Sequence, residues 1–338
     1  MGGGVMGRRR LPGTLAVVLA MALAASACGV VGGGDDTFTI GAIYPISGRQ
    51  GPGGVDEARG ARLAVELANR DGGVDGRRIK LQLVDVDAGS AAAGAMRGLK
   101  ADGVEIVLGT YGSTISAPAA ATAAREGMLL WETGAVGELT GDDGAQPGQS
   151  FFRIAPQGGR LGQAAVEFVR DRLAPLLGVD PAPLRYAVAY VDDAYGRAVG
   201  LGAVHEVERT GGVLAGTFPY DVHRLDAAGA ADLVARIGET RPDVLFVSAY
   251  LDDGVAIRKA TLAAHLPLKA SIGTSSSYCM PAFAVALGSG AVGLFASDKP
   301  DGAQVKEDAL TDEGRRTLAW ARARYHDRYH EEMSAAAL

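Results

Sequence analysis

Two cysteines in a chain of 338 residues exclude a fold held by a disulfide framework. The five histidines are scattered, none at a metal-binding spacing from a cysteine, so no metal site is expected. His326 and His330 stand four apart, but without the glutamate that zinc proteases require, and are read as a solvated helix face. No basic block is present and the formal charge is −6, which argues against nucleic acid as a partner. The chain has no G-x-S-x-G elbow and no nucleophile set beside a base, so no catalysis and no cofactor are expected. Gly288-Ser289-Gly290-Ala291-Val292-Gly293 does spell G-x-G-x-x-G. It stands between a helical pattern and a strand, whereas a dinucleotide site needs strand, glycines and then helix, so it is read as a turn. The apolar run Leu15–Ala25 is too short to span a bilayer.

That run has informative flanks. Arg8-Arg9-Arg10 precede it, and the small residues Ala25-Ser26-Ala27 lead into Cys28. Charged, apolar and small segments in that order make a secretory signal, and a cysteine at the cleavage point is a lipidation site. The segment resembles a bacterial lipoprotein signal peptide, although Ala25 stands where such signals usually carry leucine. The expectation is a chain starting at Cys28, anchored by lipid outside the cytoplasmic membrane, at the cell surface or in the periplasm. Removing residues 1–27 leaves 311 residues and takes the formal charge to −9. That length favours two lobes over one core. Gly29–Asp36 is glycine-rich and suits a tether.

From Thr37 onward, short β-rich runs alternate with longer helical patterns. Expected strands are Phe38–Tyr44, Ile79–Val86, Val104–Leu108, Met128–Trp131, Tyr186–Tyr190, Val213–Phe218, Val244–Ala249, Ser271–Gly273 and Val292–Ala296. Most are apolar without alternation, as parallel strands covered on both faces are. A helix carrying Ala61, Ala64, Val65 and Ala68 follows a glycine-rich loop and is stopped by Gly72-Gly73. Further helices fall around 91–101, 115–125, 160–176, 195–209, 227–238, 253–264 and 311–327. Repeated βα units imply an α/β fold with parallel central sheets and right-handed crossovers. The polar stretch from Gly137 to Gln149 is expected as a surface loop.

Ligands of open parallel sheets bind beyond the carboxyl ends of the strands. Those ends here carry Tyr111 and Ser113-Thr114, Trp131-Glu132-Thr133-Gly134, Asp193-Ala194-Tyr195, and Tyr250-Leu251-Asp252-Asp253. Aromatics are only 6% of the chain, so their gathering at strand ends carries weight. Tyr44 and Tyr190 are assigned to sheet packing instead. Ser113 follows Gly112 and opens a helix, so its hydroxyl and the helix-end amides form a socket for a carboxylate. An N-cap role for Ser113 or Thr114 explains the local sequence equally well.

Ile40–Gly48, Ala68–Arg77 and Asp193-Ala194-Tyr195-Gly196 resemble, in order and spacing, the solute-binding proteins of ABC transporters of the leucine/isoleucine/valine type. The resemblance runs from about Thr37 to the end. It implies two Rossmann-like lobes joined by a hinge, the type I periplasmic binding protein fold, closing on a small polar ligand for an ABC permease and its ATPase. The implied division is a signal peptide over 1–27, a tether over 28–36, lobe one over 37–155, lobe two over 156–296 and a return to lobe one over 297–338. Carried over by position, Ser113 takes the ligand carboxylate, Gly134 and Val136 lie near the backbone that holds the amino acid, and Tyr195 and Tyr250 close over it. Thr114, Tyr111 and Trp131 complete the expected site. Two departures bear on the ligand. Gly53 stands where leucine-type binders have a tyrosine on the first loop, and Ser275 where they have the glutamate that takes the ammonium group. Glu132, Asp252 and Asp253 are therefore candidate ammonium partners, and another amino acid, an amide or a small carboxylate is as well supported as leucine. The family also continues beyond the last helix with further elements, so this chain is expected to be truncated. A sensor lipoprotein of the same fold, feeding a signalling receptor, is the alternative reading.

Overall fold

The computed structural model describes residues 1–2, 37–139, 148–299 and 306–338. Cys28, the tether and nearly all of the signal segment lie outside these residues, as does most of the loop expected after Gly137. The chain divides into two units, Met1–Thr37 and Phe38–Leu338, and the second carries the fold described below.

The first sheet takes β1 (Thr37–Tyr44), β2 (Arg78–Asp85), β3 (Ile106–Gly109), β4 (Leu129–Glu132) and β5 (Phe151–Arg153) in the order β2-β1-β3-β4-β5. The second takes β6 (Arg185–Val191), β7 (Val213–Tyr220), β8 (Val244–Ser248), β9 (Ala270–Thr274) and β10 (Phe295–Ser297) in the order β10-β9-β8-β6-β7. Pairing is parallel from β1 through β3 and β4 to β5, and throughout the second sheet. Among the described residues, ten α-helices accompany these sheets. Helices α1 (Gly51–Arg70), α2 (Gly89–Ala101) and α3 (Ser113–Glu126) serve the first. α4 (Gly158–Phe168) follows β5, and a π-helical turn at Val169–Leu173 joins it to α5 (Ala174–Leu177). Then come α6 (Ala194–Arg209), α7 (Ala227–Glu239), α8 (Leu251–Ala263), α9 (Pro281–Leu287) and α10 (Asp312–Tyr329).

The unalternated apolar strands lie where expected. β8 and β9 are buried along their whole length, and Val188, Val247 and Ile272 centre the core of the second lobe. Ile43, Val107, Leu130, Met96 and Ile115 form the corresponding core of the first.

Four differences from the sequence reading have local causes. The glycine-rich segment before Ala61 is no loop: α1 begins at Gly51, with Pro52 in its first turn, where a missing N–H costs nothing. Glycine is needed there because the helix start presses on β1, and a Cβ at Gly54 would sit 2.0 Å from the Pro45 carbonyl oxygen. β5 escaped notice because it is three residues long and follows the polar loop directly. β10 starts at Phe295 rather than Val292, since Gly293 (φ 78°) still turns the chain there. α9 has only two turns and was not separated from the turn that follows it.

After β10 the chain leaves the second sheet and α10 packs on α1. Tyr325 donates to Asp56 at 3.0 Å and accepts from Arg59 at 3.1 Å, and Leu63, Tyr325 and Ala337 form a small buried cluster. Ser334 also donates to Asp56, at 2.7 Å. His326 and His330 are exposed on and beside the last turn of α10.

Candidate functional site

A cavity lies where the carboxyl ends of the two sheets face each other. Glu57 of α1, Tyr111 and Ser113 after β3, and Gly134 and Val136 after β4 line it from the first lobe. Tyr195, Tyr250 and the Ser275–Met280 segment line it from the second, and Asp298, Lys299 and Ser334 close one side. The lobes touch across it. Tyr111 and Ser276 both line it, and Gln50 donates both to Thr114 (3.1 Å) and to the Tyr250 hydroxyl (3.5 Å). In this closed arrangement the cavity measures about 30 Å³, room for about two water molecules, so solute entry requires the lobes to part.

Six of the eight expected ligand residues meet at this cavity: Tyr111, Ser113, Gly134, Val136, Tyr195 and Tyr250. Ser113 is not the N-cap. Gly112 holds that position without a side-chain bond, and the buried Ser113 hydroxyl accepts from the Gly137 amide at 2.9 Å. The amides of Ile115 and Ser116 turn back to the Gly112 carbonyl, which narrows the helix-end socket to its first turn. Tyr111 sits at φ 71°, a left-handed conformation that costs a non-glycine residue about 1–3 kcal/mol and gathers at functional sites. Tyr195 and Tyr250 pack in a tilted pair with ring centres 5.3 Å apart; Tyr195 bonds Thr274, and Tyr250 donates to Asp193 at 2.7 Å. Asp193 is the N-cap of α6, accepting from Gly196, so the D-A-Y-G turn anchors both tyrosines. Burial raises the pKa of all three cavity tyrosines, which keeps them neutral donors.

The other two expected residues are elsewhere. Trp131 is 40% exposed and stacks on Phe152 at 5.6 Å, on the face of β4 opposite Glu132. Successive strand residues point to opposite faces, so only one of the two can turn inward, and it is the acid. Thr114 lies outside the cavity wall and accepts from Gln50.

None of the three candidate ammonium partners faces the cavity. Glu132 is fully buried and accepts from the Thr110, Gly134 and Ala135 amides and from the hydroxyls of Thr110 and Ser116. Asp253 is buried in the first turn of α8 and bonds the Tyr220 hydroxyl and the Tyr250 amide; burial pushes its carboxyl up to about 6. Asp252 is exposed.

Asp56, Glu57 and Asp298 line the cavity instead, and the buried one among them is Glu57, which sequence reasoning missed. It is 4% exposed, accepts from Thr133 at 2.7 Å, and stands 3.7 Å from the Lys299 ammonium. Burial pushes its carboxyl up to about 7, against the lowering effects of Lys299 and Thr133. The only sequence signal was a charged residue at the start of a helix between two runs of small residues. Gly134 makes room for it, since a Cβ there would lie 1.9 Å from Glu57 Oε1. The departure at Gly53 also has a structural counterpart, on the first turn of α1 rather than on a loop. A Cβ at Gly53 would lie 2.1 Å from Tyr111 Cζ, so the Tyr111 ring fills the space beside it. Gly53→Ala is expected to cost about 1–3 kcal/mol in urea unfolding, and much less in a Tyr111→Ala background. Equal losses in both backgrounds would remove the contact from the argument.

Two parallel α/β lobes that meet at a small cavity have the architecture of a solute-binding protein. The family model described as "Periplasmic binding protein" matches residues 37–337. The chain belongs to that family, and its fold is the type I arrangement that the resemblance implied. "Leu/Ile/Val-binding protein homolog 8" of Brucella abortus (strain 2308) is 30% identical over 262 residues, which cover 77% of this chain and 63% of that protein. The chain thus spans less than two thirds of that relative's length. Among solved structures, a leucine binding protein, LivK, of Thermotoga maritima MSB8 superposes with a TM-score of 0.73 at 16% identity, over 89% of this chain and 79% of that one. A solute binding protein of R. palustris in complex with benzoate gives 0.71 at 17% identity, over 89% and 76%.

Proposed function

We propose that this chain is an extracytoplasmic solute-binding lipoprotein, anchored through Cys28, that captures a small amino acid, amide or carboxylate and delivers it to an ABC permease and its ATPase. The observation that carries the reading is the cavity itself. Its walls come from the carboxyl ends of strands in both lobes, and Gln50 reaches the Tyr250 hydroxyl through a side-chain hydrogen bond that a solute can replace. In this reading residues 37–155 and 156–296 are the two lobes, and 297–338 returns to the first. The open form offers Ser113 and the first turn of α3 to a carboxylate. Tyr195 and Tyr250 then close over the solute, which favours the shut state by its extra contacts there. A helix-end charge contact gives about 0.3–2 kcal/mol, whereas micromolar binding needs roughly 8 kcal/mol. Most affinity therefore comes from desolvated hydrogen bonds and ring packing. The fold alone does not choose the solute, because a leucine binding protein and a benzoate complex share it.

The test is a thermal-shift screen of the full chain in mild detergent against amino acids, short amides and small carboxylates. A solute at about 1,000 times its Kd adds roughly 4 kcal/mol and shifts the transition clearly. No response from a folded chain across the panel would sink the reading. Ser113→Ala is expected to weaken a carboxylate hit at least tenfold, and unchanged affinity would remove Ser113 from the socket.

A further inference from the structure

The cavity wall carries three acids, Asp56, Glu57 and Asp298, against one lysine, Lys299. Two of the acids already have close partners: Asp56 takes the hydroxyls of Tyr325 and Ser334 with Arg59 at 3.5 Å, and Asp298 accepts from the Lys299 amide at 2.8 Å. Asp193, Glu132 and Asp253, the other buried acids around the site, are bonded by nearby amides and hydroxyls and line no part of the cavity. Glu57 differs from all of these. Its Oε2 is held by Thr133, while among the described residues the cation paired with its Oε1 is Lys299 at 3.7 Å, longer than a hydrogen bond, from a side chain itself 28% exposed. A buried carboxylate with so loose a counter-ion is costly, and a second cation placed against it relieves that cost.

We propose that Glu57 recognises a cationic nitrogen of the solute, so that the cleft selects amines over plain carboxylates and couples their binding to proton release. This rests on the solute-binding reading above and names the ligand class for that site. The acid comes from the first turns of α1 in the first lobe, and the second-lobe residues that line the cavity, Tyr195, Tyr250, Ser275, Ser276, Cys279 and Met280, include no acid. Gly134, where any side chain would collide with Oε1, keeps the carboxylate at the cavity wall.

Proton coupling follows from the surroundings. The groups facing Glu57 are Lys299, Thr133, Glu132, Tyr44 and Tyr111, and burial outweighs them to hold the carboxyl near 7. A solute ammonium binds the ionised form, so at pH 6 it must first displace the proton, while above pH 8 it need not. Affinity is expected to rise with pH through this window, by up to about tenfold per unit on its acid side.

The experiment is calorimetric titration of the full chain with three probes of one skeleton: L-leucine, 4-methylpentanoate, which lacks the amine, and 3-methylbutylamine, which lacks the carboxylate. The expected result is at least tenfold tighter binding of leucine than of 4-methylpentanoate. A buffer-dependent heat at pH 6.5 should report proton release for both amines. Glu57→Gln should abolish that release and weaken both amines at least tenfold, without weakening 4-methylpentanoate. The same set is repeated with L-alanine and propionate to cover a smaller cavity. Carboxylates binding as tightly as amines, or proton release persisting in Glu57→Gln, would overturn this proposal and leave the solute-binding reading standing. Binding of none of the five probes overturns it together with the amino-acid reading.

Discussion

Glu132→Ala should lower stability by about 3–5 kcal/mol, the loss typical of removing one member of a buried charged network. The carboxylate accepts from three backbone amides and two hydroxyls, and its side chain is completely out of water. Alanine leaves those donors without an acceptor, and each buried unpaired group costs about 1–3 kcal/mol before the site relaxes. Glutamine keeps the volume and one accepting oxygen but turns an NH2 toward amide donors, so Glu132→Gln should lose less than alanine and still measurably. The readout is the urea midpoint at constant m, since the same surface is exposed on unfolding. A midpoint within error of the parent for Glu132→Ala would mean that water or a shifted loop replaces the carboxylate. The functional consequence is indirect. Glu132 ties the end of β3 to the loop after β4, and those two segments carry Tyr111, Ser113, Gly134 and Val136 into the cavity wall.

Glu132 also marks where reading the chain by itself stops. The βα alternation, the two-lobe fold and the strand ends that carry the cavity were legible, because parallel strands need continuous apolar runs and because ligands gather at their carboxyl ends. Nine of the ten strands among the described residues begin within three residues of where the sequence places them. Which way a residue faces at the last position of a strand was not legible. Trp131 and Glu132 are adjacent, and a one-residue choice of face decides which of them lines the interior. An aromatic beside an acid at a strand end reads as a cavity wall beside a counter-ion. The structure instead sends the tryptophan outward onto Phe152 and gives the acid to the backbone.

Glu57 was missed for the opposite reason. Its segment reads as a glycine-rich loop, Gly51-Pro52-Gly53-Gly54, and loops of that composition do not bury acids. The glycines are there because helix α1 starts hard against β1 and against the Tyr111 ring, and only tertiary contact reveals this. Gly134 is expected near the backbone that holds a ligand and does line the cavity, and the requirement for glycine there comes from the Glu57 carboxylate packed against it.

Glu57→Gln should make the unliganded protein more stable at pH 8 and leave it almost unchanged near pH 4.5. Burial lifts the carboxyl from 4.5 to about 7, so between those values the folded chain holds a proton that the unfolded chain has lost. Stability therefore falls as pH rises through that window and levels off above it. Over that span the loss is on the order of 3 kcal/mol, at about 1.4 kcal/mol per pH unit. Glutamine accepts from Thr133 as glutamate does and carries no charge to desolvate, so its unfolding midpoint should decline less over this window than the parent's, the remainder coming from groups such as Asp253. Lys299, already partly in water, is not stranded by the change. Parallel pH profiles for the two proteins would show that Glu57 ionises without cost, which means water reaches it. If the profiles diverge as expected, a saturating amine should stabilise the parent at pH 8 far more than it stabilises Glu57→Gln. The charge that weakens the unliganded fold is then the one that holds the solute, and the penalty persists because binding removes it.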